Sequence, residues 1–185
     1  MSKISYIFLA DGFEEIEALA TLDMIRRAGI EIKSVSINPT NIATGAHGIP
    51  VTADCNINDI NASNACWLIL PGGLPGATNL ADCLPLVNIL KEHHANGGGI
   101  AAICASPAFV LGATGLLEGV DATCYPGCEG QAPSVKFTGR PVEATKQIIT
   151  GRGPGYTFQF ALAIIHAIAG EDAAQKVADG MLLTE

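Results

Sequence analysis

Charge is scarce in this chain, and positive charge scarcer still. Only 15% of its 185 residues are Asp, Glu, Lys or Arg, ten basic against eighteen acidic, for a net charge of −8. The basic residues form no stripe, so nucleic-acid binding has no support. A secretion signal is missing too. Lys3 leads into a short apolar run that meets Asp11, Glu14 and Glu15, without a cleavage region and too short to span a membrane. The long uncharged stretch 95–117 contains Gly97, Gly98, Gly99, Ser106, Pro107 and Gly112, which suits a buried strand, a turn and a helix. No membrane segment is expected, and the location expected is cytoplasmic.

In a reducing compartment the six cysteines read as thiols rather than a disulfide framework. No C-x-x-C pair occurs, and Cys124 and Cys128 lack a nearby histidine to complete a zinc site, so no metal is expected. The glycine-rich run 151–155 follows a strand and opens a helix, which could suit an anion. It lacks the lysine of a phosphate-binding P-loop, and the acidic partner of a dinucleotide fingerprint has no suitable strand. No cofactor is expected.

What the chain does have is apolar residues, 49% of the total, punctuated by 21 glycines and 10 prolines. That composition suits one globular domain over residues 1–185. Apolar runs with β-formers predict strands at 4–9, 31–37, 67–70, 100–103 and 147–150, with shorter ones at 122–125 and 135–143. Helical patterns predict helices at 14–28, 84–94, from 107, 157–169 and 173–179. The segment 41–54 reads as a hairpin or long excursion. This alternation predicts an α/β fold with a mainly parallel sheet and helices on both faces. Ligands then bind outside the C-terminal strand ends, which selects the turns 10–12, 71–73, 104–106 and 151–155.

Cys104 lies at one of those turns. Ser106 suits a helix N-cap and Pro107 the first helical position, so the cysteine is predicted between a buried strand and a helix start. Free N–H groups and the helix dipole would favour its thiolate there, in the manner of a nucleophile elbow. The competing reading, a small cysteine filling core, is preferred for the other five.

Asp11 and Glu14 match a capping box, which gives Glu14 a structural role. Helical phase places Glu15 beside Arg26 on the polar side and Glu17 on the apolar side with Thr21, Met24 and Ala28. A carboxyl buried there should be raised in pKa, able to donate a hydrogen bond to a thiolate or to exchange protons with a substrate; the alternative is an acid that curls out to solvent. Gly72, Gly73 and Ala105 can offer N–H groups to an oxyanion, or Gly72 and Gly73 can simply form a tight turn. His47, in the excursion, either reaches the site or sits in an exposed turn. His93 and His94 suit a helix C-terminus, His166 an outward helix face, and no histidine has an evident triad role.

Taken together, A-D-G-F-E-E-I-E-A, D-M-I-R-R-A-G-I, L-P-G-G, A-A-I-C-A-S-P and G-R-G-P-G-Y-T-F-Q-F-A-L-A-I resemble the ThiJ/PfpI superfamily. The similarity is to its branch of Parkinson-disease protein deglycase (DJ-one) and bacterial ThiJ-type proteins, and it spans nearly the whole chain. It implies a flavodoxin-like three-layer sandwich and a homodimer. It implies Cys104 as nucleophile and oxidisable thiol, Glu17 as the protonated acid beside it, and Gly73 and Ala105 as backbone donors. Gly72, His47, Tyr125 and Pro154 are its substrate-pocket candidates. Tyr125 stands where many relatives have a histidine, and His47 where animal members have an arginine. Ala105 replaces the histidine that follows the cysteine in protease-like members, which counts against peptidase activity.

The resemblance implies a cofactor-independent, glutathione-independent glyoxalase or protein deglycase, acting on methylglyoxal, glyoxal or early glycation adducts. The alternative is a redox-sensing dimer with a chaperone role in oxidative stress, using the same cysteine. A hydrolase of another acyl substrate is a third possibility.

Overall fold

The computed structural model describes residues 4–183. Its main strands are β1 (Ser5–Leu9), β2 (Ile32–Ser36), β5 (Cys55–Asn56), β6 (Trp67–Leu70), β7 (Gly99–Ile103), β8 (Val142–Ala144) and β9 (Ile148–Gly151). These seven form one sheet in the order β5-β2-β1-β6-β7-β9-β8. All pairings are parallel except β8 against β9 at the edge. Two further strands, β3 (Ile42–Thr44) and β4 (Pro50–Thr52), form a separate antiparallel hairpin, the excursion predicted at 41–54.

Two-residue periodicity sorts the central strands into two cores. Ile7, Leu9, Ile69, Ala101 and Ile103 face one layer, where α1 (Glu15–Arg27), α4 (Thr157–Ala169) and α5 (Glu171–Gly180) contribute Ala18, Met24, Ile25, Phe160, Ile164 and Val177. Tyr6, Phe8, Leu68, Leu70, Ile100 and Ala102 face the other, against Leu80, Leu86 and Leu90 from α2 (Gly76–Asp82) and α3 (Leu84–Ala95). The central strands are buried on both faces, which is why they read as unbroken apolar runs. The result is the three-layer, flavodoxin-like sandwich.

Several local expectations need correction. The strands predicted at 122–125 and 135–143 reduce to one bridge, Ala122 with Phe137, and to β8. The capping box does not form: Glu14 is the N-cap of α1 and caps nothing with its side chain. Asp11 is taken instead by the hairpin side, where its Oδ1 accepts from Asn38 Nδ2 and Thr44 N, both at 2.8 Å. Ser106 is no cap either. It already has helical backbone angles, and its hydroxyl donates to the Pro71 carbonyl at 2.5 Å. The chain continues from Ser106 into a six-residue π-helical segment, Pro107–Gly112, too short to supply a strong dipole.

Candidate active site

All four turns selected by the strand-end rule meet at one end of the sheet. The Cys104 N–H donates to Gly151 O at 2.9 Å, and its carbonyl accepts from Tyr125 N at 2.8 Å. The Gly12 turn packs on the 71–76 turn: Gly76 N donates to Gly12 O at 3.2 Å, and Glu14 N to Gly72 O at 3.0 Å. Held from both sides, Cys104 adopts φ 65°. That is a left-handed conformation costing a side-chain-bearing residue on the order of 1–2 kcal/mol. The bend turns its sulfur out of the strand toward a cavity of about 230 Å3 lined by Glu14, Gly73, Leu74, Ala105, Tyr125 and Pro154, with Cys128 at its wall.

Glu17 lies beneath, fully buried. Its Oε2 accepts from Gly72 N at 2.7 Å, while Oε1 is buried and accepts no hydrogen bond. The contact with Cys104 passes through Gly72. A Cβ built there would stand 2.6 Å from Cys104 Cβ and 2.8 Å from Glu17 Oε2. Glycine at 72 lets thiol and carboxyl meet. Its N–H serves Glu17, so Gly72 is not an oxyanion donor; Gly73 and Ala105 are the N–H groups that face the sulfur.

Electrostatics follow from this packing. Burial pushes Glu17 up to about 7, against the opposing pull of the Gly72 N–H and Cys104. Burial first, then the Glu17 charge and hydrogen bond, push the Cys104 thiol well above its ordinary value, against the Gly73 and Ala105 N–H groups. This corrects the thiolate expected from a helix start: the segment is short, and burial outweighs it. Each group opposes charge on the other, so the pair sheds its first proton near neutral pH and holds the second strongly.

The other candidates divide. Pro154 and Tyr125 line the cavity. His47 does not: its side chain is exposed, and Nδ1 lies 2.8 Å from Glu15 Oε2 and 3.8 Å from Glu14. Glu15, expected on the polar side, is buried beneath the hairpin by this contact and by His47 N at 2.8 Å. Glu14, Glu15 and His47 are the one donor cluster among the described residues with metal-ligand spacing, and they already pair with one another. Glu14, Leu74 and Cys128 line the cavity without a prediction that placed them there. Leu74 extends the selected 71–73 turn and had a signal; Cys128 had none, since only the fold of 122–128 brings it back.

The model of the DJ-1/PfpI family matches residues 3–167. The chain is 36% identical over 183 residues to Protein DJ-1 homolog B of Arabidopsis thaliana, covering 98% of this chain and 42% of that protein. It therefore spans about half the length of that relative. It is 31% identical over 176 residues to Glutathione-independent glyoxalase DJR-1.2 of Caenorhabditis elegans, covering 93% and 91%. Among solved structures, oxidized Toxoplasma gondii DJ-1 superposes with a TM-score of 0.93 at 37% identity, covering 97% of this chain and 98% of that one.

Proposed function

The chain belongs to the DJ-1/PfpI family, and from that premise we propose that it is a cofactor-independent glyoxalase or deglycase acting on 2-oxoaldehydes through Cys104 and Glu17. The observation that carries this reading is the buried carboxyl at about 7 set against a cysteine whose sulfur faces two backbone N–H groups and an open cavity. The pair's first proton leaves Glu17 and the thiol keeps its own, so at neutral pH the Glu17 carboxylate is the base that takes the Cys104 proton as the sulfur attacks.

The Cys104 sulfur, passing its proton to Glu17, adds to the aldehyde carbon of methylglyoxal, forming a C–S bond and an alkoxide that the Gly73 and Ala105 N–H groups stabilise. Protonation of that alkoxide gives the hemithioacetal. Glu17, acting as acid and base in turn, moves a proton from the former aldehyde carbon to its neighbour. The product is a lactoyl thioester, which water cleaves to lactate and the regenerated thiol. A glycated side chain, itself a hemithioacetal or hemiaminal of the same aldehyde, enters the same sequence once its C–S or C–N bond breaks, which releases the side-chain thiol or amine in protonated form and regenerates the aldehyde. Support from a relative is the name of the C. elegans protein, a glutathione-independent glyoxalase.

We place this protein in the cytoplasm as a homodimer; Ile16, Ile42 and Ile49, about half exposed on α1 and the hairpin, suit a self-association face. The test is lactate formation from methylglyoxal by purified protein without glutathione. Cys104→Ala should abolish it, and Glu17→Gln should lower it roughly 10²–10⁴-fold. A wild-type protein without turnover removes the reading. The same pair also supports a redox sensor: with Glu17 protonated, Oε1, which is buried and accepts no hydrogen bond, donates to an oxidised Cys104 sulfur. Selective peroxide oxidation of Cys104 in a protein that makes no lactate would decide for it.

A further inference from the structure

A second chamber of about 390 Å3, wide open to solvent, adjoins the cysteine cavity and shares Tyr125 and Pro154 with it. Its walls include Tyr125, Pro126 and Tyr156, with Arg152 at one side. Glycines keep it open. A Cβ on Gly153 would stand 3.1 Å from the Tyr125 ring, and one on Gly155 would meet nothing within 4 Å. The chamber adds space that methylglyoxal, with three carbons, does not need.

Arg152 differs from the chain's other arginines. Arg26 pairs with Asp54 at 2.7 Å, Arg27 with Asp23 at 2.6 Å and Arg140 with Glu143 at 3.5 Å. The Arg152 side chain has no ion pair or hydrogen bond among the described residues, although the chain carries eighteen acidic residues. Its backbone is fixed, with N donating to Pro141 O at 3.0 Å. Arg152, a partly buried residue without a side-chain partner among the described residues, in a protein of net charge −8, is a positive point in the chamber that adjoins the cysteine cavity. Its planar fork matches a carboxylate.

We infer that this chamber is a substrate subsite in which Arg152 binds the carboxylate of a 2-oxoaldehyde tail, with the aldehyde at Cys104 and the tail running past Tyr125 and Pro154. The inference rests on the proposed dicarbonyl chemistry and names its substrate class: acidic 2-oxoaldehydes longer than methylglyoxal. Arg152 sets specificity and takes no part in bond making.

The test compares two five-carbon substrates, 4,5-dioxopentanoate and its uncharged counterpart 2-oxopentanal, by kcat/KM. Wild type should favour the acid by roughly 10-fold or more. That ratio should fall to about 1 in Arg152→Gln and partly return in Arg152→Lys, with the change in KM. A second assay does not need turnover. Cys104 alkylation by iodoacetanilide and by its para-carboxylate is followed by intact mass, and the acid should react faster in wild type but not in Arg152→Gln. Charge-selective alkylation without dicarbonyl turnover would retain the subsite and remove the glyoxalase reading. A wild-type ratio near 1 in the alkylation assay, no alkylation at Cys104, or a preference that survives Arg152→Gln overturns the inference.

Discussion

Glu17 keeps in the folded chain a proton that an exposed glutamate sheds near 4.5. Its pKa rises to about 7 on folding, so the folded state binds the proton more tightly across that window. The stability contributed by that tighter binding is fully present below pH 4.5 and is lost as pH rises through about 7. The loss amounts to roughly 3 kcal/mol above neutrality. Linkage counts protons, so the loss is the same whichever atom of the Glu17–Cys104 pair carries the charge. Glu17→Gln keeps an acceptor for the Gly72 N–H and removes the ionisation. Urea denaturation at pH 5 and pH 8 should show wild type losing stability between them and the variant losing much less. A wild type equally stable at both would contradict the raised pKa. Gly72 is equally constrained, since an added methyl would also stand 2.9 Å from Ile103 O. Gly72→Ala should cost about 1–3 kcal/mol of stability and separate thiol from carboxyl. Lactate formation should then fall at least as far as in Glu17→Gln, and an active, stable Gly72→Ala would refute the contact.

The β3–β4 hairpin is the element whose placement owes least to its own residues. It is tied to the start of α1 by Gly12 N to Thr44 O at 2.7 Å, Ala46 N to Phe13 O at 2.8 Å, and the Asp11 and Glu15 carboxylates. The Glu15 hydrogen bonds, opposing its burial, lower its pKa from 4.5, and Glu15 raises that of His47 from 6.5. The His47 contribution is lost as pH rises above its raised value, and the Glu15 contribution as pH falls below its lowered one. Amide exchange across 42–52, corrected for intrinsic rates, should therefore be slowest between pH 4.5 and 6.5. In Glu15→Gln the acidic limb of this pH dependence should disappear and the basic limb should shrink to what Glu14 alone gives His47. The same element marks the boundary of what sequence can reveal. Strands β1, β6, β7 and β9 and helix α4 were legible because burial on both sheet faces, or one helical face, writes a local period. Glu17 was legible for the same reason. Glu15 was not, because a hairpin thirty residues away buries it, and Asp11 departs from its expected cap because that hairpin outcompetes the helix for its carboxylate. The two-residue β5 and the short α2 are set by neighbouring strands and the 71–76 turn, contacts that no local pattern records.

At the scale of the whole molecule, the parallel sheet sends the ends of β1, β6, β7 and β9 to one edge, and every catalytic candidate follows from that convergence. The same arrangement leaves the outer face of the hairpin and the start of α1 uncovered. Ile16, Ile42 and Ile49 are 55%, 50% and 51% exposed there, in a chain with only 15% charged residues. Glu15, next to Ile16, accepts from His47 N at 2.8 Å, and Gly45 N donates to Ile49 O at 3.0 Å, which fixes the hairpin end carrying Ile49 on the start of α1. Exposed β-branched side chains on a hydrogen-bonded hairpin and a helix start lose little entropy on association, which favours a dimer across this face. Sedimentation velocity at micromolar concentration should give twice the chain mass of 19.1 kDa. Ile49→Asp, which puts a carboxylate on each side of a two-fold contact, should give the chain mass with an unchanged circular-dichroism spectrum. If Ile49→Asp still sediments as the dimer, association uses another surface, and these isoleucines are exposed for a different reason.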